Sequence, residues 1–221
     1  MPTTPNRIKP FGGLAVGLMV AALVGYWLWP RPPAAADRVT VGSALGGGDQ
    51  PGYQRADAPQ PFHFPADHGP HPQFRNEWWY ATGNLTDATG RQFGYQFTLF
   101  RIALAPTPPA ADSAWRTQQI YMGHFALTDV ANNRHYGFER FSRGAVGLAG
   151  AQAEPFRVWL EDWQLTGAGP DIFPLRIDAQ ENGVAIHLTL NPGKPMVLQG
   201  DRGLSQKSAE SGNASYYYSY T

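Results

Sequence analysis

The chain has 221 residues, among them 25 glycines and 20 prolines, and its 17 lysines and arginines balance 17 aspartates and glutamates. A net charge of zero gives no indication of a nucleic-acid partner. The absence of cysteine excludes disulfides, a thiol nucleophile and a lipid anchor on cysteine. The many turn residues and the short apolar runs after the N-terminus predict an all-β fold.

The first element is an apolar segment, Phe11–Trp29, that contains no charged residue. About nineteen residues in a helix span roughly 30 Å, the thickness of a hydrocarbon core. Because Arg7 and Lys9 precede the segment, we expect the rest of the chain to be exported. Residues 1–36 are therefore predicted to form one N-terminal transmembrane helix, a signal anchor, with a signal peptide cleaved near residues 34–36 as the alternative.

The anchor would hold the protein on the periplasmic side of the bacterial inner membrane, whereas cleavage would release it into the periplasm or the medium. Residues 37–61 are rich in glycine and proline and lack periodicity, which predicts a flexible linker. The folded domain is predicted to span residues 62–204.

Antiparallel strands dominate that domain. A first hairpin is predicted from Glu77–Leu85 and Phe93–Ile102, with Phe93, Tyr95, Phe97 and Leu99 on one buried face. The later strands are predicted at Gln119–Asp129, His135–Ser142, Phe156–Leu165, Leu175–Ala179 and Val184–Leu190, the last two joined by residues 180–183, in which Asn182-Gly183 is the hairpin signal. Their regular recurrence predicts an up-and-down barrel or a curved meander sheet.

The candidate functional residues concentrate around the first hairpin. His68 and His71 lie in a loop with several prolines, and together with Glu77 or His124 they have the chemistry of a metal site. Hydrogen bonding at a cleft and purely structural loop contacts are the alternatives, and we predict neither a metal nor another cofactor.

Glu77 directly precedes three aromatic residues, Trp78, Trp79 and Tyr80. A carboxyl group against indole faces is desolvated, which favours its neutral form and suits a general acid. The alternative is an ion pair with Arg75 or Arg101 that ties the hairpin together. His124, on a predicted strand, is the second catalytic candidate, and a satisfied core histidine is the alternative there.

Several motifs in a fixed order carry a resemblance. They are HFPADHGPHPQFRNEWWYATGNL, GYQFTLFR, YMGHFALTD, FERFSRGAVGLAGA, FRVWLEDW and NASYYYSYT. From about Phe62 to Thr221 the chain resembles the AttH-type lipocalin-like family, which contains bacterial carotenoid 1,2-hydratases. The resemblance implies two consecutive lipocalin-like β domains with a cleft between them, so that residues 205–221 would be a connection and the first strand of a second domain.

We therefore predict an exported, membrane-tethered domain that binds an apolar lipid or isoprenoid. The predicted ligand contacts are His68, His71, Trp78, Trp79, Tyr80 and Arg101. The resemblance also implies an ABC-transporter permease as partner. One alternative is a cofactor-independent carotenoid 1,2-hydratase, in which Glu77 and His124 are catalytic and aromatic faces stabilise a carbocation. The other is a secreted hydrolase.

Overall fold

The computed structural model describes residues 51–107, 113–169, 171–210 and 212–220. The predicted anchor and the first part of the predicted linker lie outside the described residues. Within those ranges, no helix has the length and apolar character needed to cross a membrane. The described chain forms thirteen strands and one 3₁₀ turn, Ala66–His68, which confirms the all-β prediction.

The first four strands form one antiparallel sheet in chain order. They are β1 (Asn76–Thr86), β2 (Gln92–Ala103), β3 (Gln119–Asp129) and β4 (Arg134–Arg143). The predicted first hairpin is confirmed, with an unbroken register from Asn76 opposite Ile102 to Thr86 opposite Gln92. The turn between the strands closes because Asp87 Oδ1 accepts the backbone N–H groups of Thr89 and Arg91.

The predicted buried face of β2 is also confirmed in its centre. Tyr95, Phe97 and Leu99 are buried, whereas Gln96 on the opposite face is exposed. Since directly opposite residues in a sheet share a face, Phe125 of β3, opposite Phe97, faces the same core.

The next five strands form a second antiparallel sheet, again in chain order. They are β5 (Ala149–Gln152), β6 (Arg157–Leu160), β7 (Trp163–Gly167), β8 (Leu175–Glu181) and β9 (Val184–Leu190). The predicted Asn182-Gly183 turn is confirmed, with φ angles of 48° and 80°, the left-handed values that a type I′ turn requires.

One predicted strand in this sheet was wrong. Phe156–Leu165 is not continuous but turns at Glu161-Asp162, where Glu161 has a φ of 57°, and Leu160 pairs with Trp163. A two-residue turn leaves the alternation of polar and apolar side chains almost unchanged, so the pattern did not reveal it.

The inner faces of the two larger sheets pack together around Trp163, which is fully buried. The rings of Phe97 and Phe125 lie 6.4 and 5.8 Å from it. Gly123 allows this close approach, because a Cβ atom there would lie 3.0 Å from the indole and the ring would have to shift. At the edge of this core Arg140 lies over the Trp163 ring, 4.5 Å away, and donates to Glu181 of the other sheet at 2.7 Å.

Four short strands complete the described fold. They are β10 (Met196–Leu198), β11 (Leu204–Gln206), β12 (Ala214–Tyr216) and β13 (Tyr218–Tyr220), paired as β10 with β13 and β11 with β12. In the aromatic end of the chain, β13 thus pairs with β10 inside the predicted domain, whereas β12 pairs with β11 at the domain's predicted boundary. How the chain divides into domains stays a prediction.

The barrel alternative for this fold was wrong. Within the described residues the chain leaves the first sheet after Arg143 and begins a separate sheet at Ala149, instead of pairing β5 with β4. The sheets therefore do not close on themselves. Each of the two larger sheets is an antiparallel meander.

Candidate ligand-binding cleft

A cleft of about 1250 Å³ runs along β1 and the C-terminal aromatic residues. Its lining includes residues 76–82 of β1, the loop residues Asp67, His68 and His71, and all of residues 214–220. Apolar side chains from the second sheet and its connections, Phe156, Leu165, Phe173, Leu175 and Leu190, complete it. The cleft thus brings the beginning and the end of the described chain together.

His68 forms part of the wall and is only 3% exposed. Its Nδ1 atom lies 2.8 Å from the Tyr218 hydroxyl, and that hydroxyl donates its proton to the backbone oxygen of Asp67 at 3.2 Å. With the hydroxyl proton directed at the Asp67 oxygen, we assign the imidazole proton to Nδ1, which then donates to Tyr218. Burial lowers the pKa of His68 to about 4, against the opposing charges of Asp67 and Asp171, so the ring is neutral at neutral pH.

His71 has the opposite electrostatics. Its backbone N–H donates to both oxygens of Glu77, at 2.9 and 3.0 Å, and its Nδ1 lies 2.6 Å from Glu77 Oε1. Its Nε2 lies 3.4 Å from Asp67. The hydrogen bond to Glu77 raises the pKa of His71, although burial opposes this. An imidazole between two carboxylates favours its charged form.

Glu77 forms an ion pair with Arg101, in which Nε donates to Oε2 at 2.8 Å. The guanidinium is fully buried and also donates to the backbone oxygens of His71 and Phe74, at 2.9 and 2.8 Å. The geometry thus matches the interpretation in which this pair ties the hairpin to its neighbours. Because the carboxylate is already bound by donors from His71 and Arg101, the contacts give no support to a general-acid role, which stays a prediction.

Trp78, Trp79 and Tyr80 all line the cleft, although they alternate between the two faces of β1. Trp79 faces the core side and donates its indole N–H to the backbone oxygen of His68 at 2.8 Å. The Trp78 ring lies 6.4 Å from that of Tyr217, and the hydroxyls of Tyr80 and Tyr217 are hydrogen-bonded. Residues from both faces can line one cleft only where the cleft follows the edge of the strand.

His124 lies elsewhere. It is opposite Thr98 in the β2–β3 register, one residue from the Leu99–Gly123 pair that faces the core, and so it projects from the outer face of the sheet. Its Nε2 is 3.0 Å from Glu139, and its ring is 5.5 Å from that of Phe100. The structure does not bring His124 together with Glu77.

Sequence reasoning missed the C-terminal half of the cleft, which includes Tyr216, Tyr217, Tyr218 and Tyr220. The signal was present as four tyrosines in five residues, but the resemblance assigned that run to a second domain. Among the described residues there is no group of three or more metal-ligating side chains.

The fold and the cleft define an antiparallel β protein with an aromatic-lined cleft. Residues 55–221 match the profile of the AttH-like family, and the chain belongs to that family. A crystal structure of an AttH candidate from Nitrosomonas europaea is similar, with a TM-score of 0.60 and 32% identity, over 73% of this chain and 48% of that one. The present chain thus spans about half the length of that protein. A search of curated proteins found no match.

Proposed function

We propose that this protein is an exported, membrane-tethered domain that binds an apolar lipid or isoprenoid in the cleft. The observation that carries the proposal is the cleft itself, whose volume of about 1250 Å³ exceeds the roughly 300–1,000 Å³ of pockets for drug-sized ligands. A site of that size suits a long chain rather than a compact metabolite. Its aromatic side chains offer apolar surface to such a chain.

The polar groups of the cleft support binding rather than proton transfer. Glu77 is held by His71 and Arg101, and His68 by Tyr218. Side chains fixed in this way preorganise the walls, which reduces the ordering that a ligand must impose on binding. The hydratase alternative requires a proton donor directed at the alkene, whereas Glu77 is bound by His71 and Arg101, and both ring nitrogens of His71 face carboxylates.

Export and tethering rest on the sequence of residues 1–36, in which Arg7 and Lys9 precede the apolar segment Phe11–Trp29. A domain held at the outer face of the inner membrane can pass an apolar ligand to or from a membrane protein without releasing it into water. An ABC-transporter permease, the partner implied by the family resemblance, suits that role.

Tryptophan fluorescence tests ligand binding directly. The protein is titrated with geranylgeraniol, alongside the variants Trp78→Ala in the cleft and Trp115→Ala outside it. Trp115 is the matched control because it is 59% exposed and does not line the cleft. We expect saturable quenching in the wild type, at least about fivefold weaker binding in Trp78→Ala, and unchanged binding in Trp115→Ala. Absent quenching, or equal affinity in both variants, would contradict the proposal.

A further inference from the structure

The backbone of β1 has a defined pattern of hydrogen-bonding groups along the cleft. Ala103 donates its N–H to the oxygen of Arg75 at 2.8 Å, one position before the Asn76–Ile102 pair. In an antiparallel pair the hydrogen-bonded positions alternate. The odd-numbered residues of β1 therefore point their N–H and C=O groups at β2, and the even-numbered residues Asn76, Trp78, Tyr80 and Thr82 point theirs away from it.

The other side of β2 gives the same alternation independently. Val130 donates to the oxygen of Gln92, and Leu104 donates to that of Gln118. The backbone N–H and C=O groups of the even-numbered residues of β2 thus bond to β3. Those of the odd-numbered residues of β2 are left to bond to β1. Glu77, Trp79 and Ala81 lie opposite odd-numbered residues of β2 and fill those positions.

This outer edge of β1 is open. β1 is the first strand of its sheet and pairs with β2 alone. Across the described ranges, no backbone hydrogen bond joins residues 76, 78, 80 or 82 to another segment. Exposed strand edges are normally protected by proline, lysine or a bulge, and β1 has none of these in its sequence or its register. All four residues line the cleft.

We propose that the ligand of this cleft is an N-acylated amino acid or a short N-acyl peptide. The inference rests on the proposed function, because the acyl chain occupies the aromatic cleft. The N–H and C=O of the acylated residue then pair with the outward C=O and N–H of Trp78 or Tyr80, as one residue of an added strand does. Strand addition supplies the hydrogen bonds, and the aromatic side chains supply the apolar contacts.

The polar backbone groups at the edge of β1 favour N-acylated amino acids over plain hydrocarbon chains as ligands. A pure isoprenoid or alkyl chain that covers the edge removes water from its N–H and C=O groups and leaves them without partners, which is unfavourable. An acylated amino acid carries one donor and one acceptor at the spacing of a single residue. Outward residues repeat about every 6.8 Å along a strand, so a longer acyl peptide reaches both Trp78 and Tyr80.

The decisive probe pair differs in one atom. The full chain is titrated with N-dodecanoylglycine N-methylamide and with its ester analogue, in which oxygen replaces the glycine N–H, and geranylgeraniol measures apolar binding alone. We expect the amide to bind at least about tenfold more tightly than the ester. Equal affinities would overturn the inference while geranylgeraniol binding left the proposed function standing. If no probe bound, both proposals would fall.

Proline variants locate the contact. An outward N–H is not part of the sheet ladder, so proline is tolerated at such an edge position. Tyr80→Pro is compared with Tyr80→Ala, and Trp78→Pro with Trp78→Ala. Both variants of each pair lack the aromatic side chain, but only the proline variant also lacks the backbone N–H. Asn84→Pro is the matched control, since it lies on the same edge outside this cleft. Proline removes the outward N–H that donates to the glycine C=O, so we expect one of the two cleft proline variants to bind the amide more weakly than its alanine counterpart, and Asn84→Pro to bind it as the wild type does. Equal affinity for the amide within both folded proline and alanine pairs would overturn the inference.

Discussion

The imidazole Nδ1 of His68 lies 2.8 Å from the hydroxyl oxygen of Tyr218, a residue 150 positions further along the chain. The contact joins the loop before β1 to the last described strand. The same hydroxyl continues to the backbone oxygen of Asp67, so one tyrosine satisfies a donor and an acceptor in the cleft wall. The wall is therefore a product of long-range pairing, and its stability can be measured apart from ligand binding.

Replacing Tyr218 with phenylalanine is expected to destabilise the fold. The change leaves the buried Nδ1–H of His68 without an acceptor, and an unpaired buried polar group costs about 1–3 kcal/mol. The free energy of unfolding, measured in urea, should fall by that amount. Tyr220→Phe is the control, because no hydrogen bond of the described residues involves its hydroxyl, and it should change stability by less than about 0.5 kcal/mol. Equal effects of the two changes would contradict the assignment.

His68 should make the protein less stable in acid. Its pKa in the folded protein is lowered to about 4 by burial, whereas the unfolded value is near 6.5. Its contribution is therefore fully present above pH 6.5 and is lost as the pH falls towards 4, which corresponds to roughly 3 kcal/mol. Urea denaturation between pH 4 and 7 should show a steeper loss in the wild type than in His68→Gln. Parallel pH profiles would show that His68 is not the group responsible.

Local sequence patterns predicted many of the strands and turns of the fold. The alternation of Phe97 and Leu99 and the Asn182-Gly183 turn each fix a strand by short-range chemistry, and both predictions were confirmed. The turn at Glu161-Asp162 was missed because it preserves the alternation. The separation of the sheets, and the return of Tyr218 to His68, depend on pairings between distant residues that no local period encodes.

The site followed the same division. The sequence placed His68, His71 and Glu77 near one another because they lie in one loop and the strand that follows it. It named Arg75 and Arg101 as partners for Glu77 without deciding between them, and the structure shows the ion pair with Arg101 from the adjacent strand. His124 was chosen as a catalytic candidate for its imidazole chemistry, not for the face of the strand on which it lies. Because it directly follows Gly123, which faces the core, its side chain projects from the outer face of the sheet.

His71 should show the opposite pH dependence to His68. Its pKa is raised, chiefly by the hydrogen bond to Glu77, so its stabilising contribution is complete below about pH 6.5 and is lost as the pH rises through the raised value. An NMR titration of the histidine ring protons should place its pKa above the ordinary value in the wild type. Glu77→Gln should lower it, because the amide removes the negative charge. A His71 pKa that Glu77→Gln leaves unchanged would assign the effect to Asp67 instead.

Arg140 should stabilise the packing of the two larger sheets. It extends from β4 to Glu181 and Asp162 and covers the Trp163 ring. Arg140→Met keeps apolar contact with the ring but removes the charged hydrogen bonds, so we expect the free energy of unfolding to fall by about 1–3 kcal/mol. Arg202→Met is the control, since Arg202 is 74% exposed and its ion pair with Asp201 spans 3.5 Å. That exposed pair should contribute no more than about 1 kcal/mol.

Residues 1–36 should hold the protein at the membrane. If Phe11–Trp29 is an uncleaved anchor, protein expressed from the full sequence should sediment with membranes, resist carbonate extraction and begin near Met1. A soluble form that begins near Asp37 would establish a cleaved signal peptide instead. Val20→Arg places a charge near the middle of the apolar segment, where arginine costs roughly 2.5–3.5 kcal/mol of insertion free energy. We expect it to reduce membrane insertion, whereas Thr4→Arg, before the segment and on its predicted cytoplasmic side, should leave insertion intact. Equal insertion of the two variants would contradict a membrane-spanning role for Phe11–Trp29.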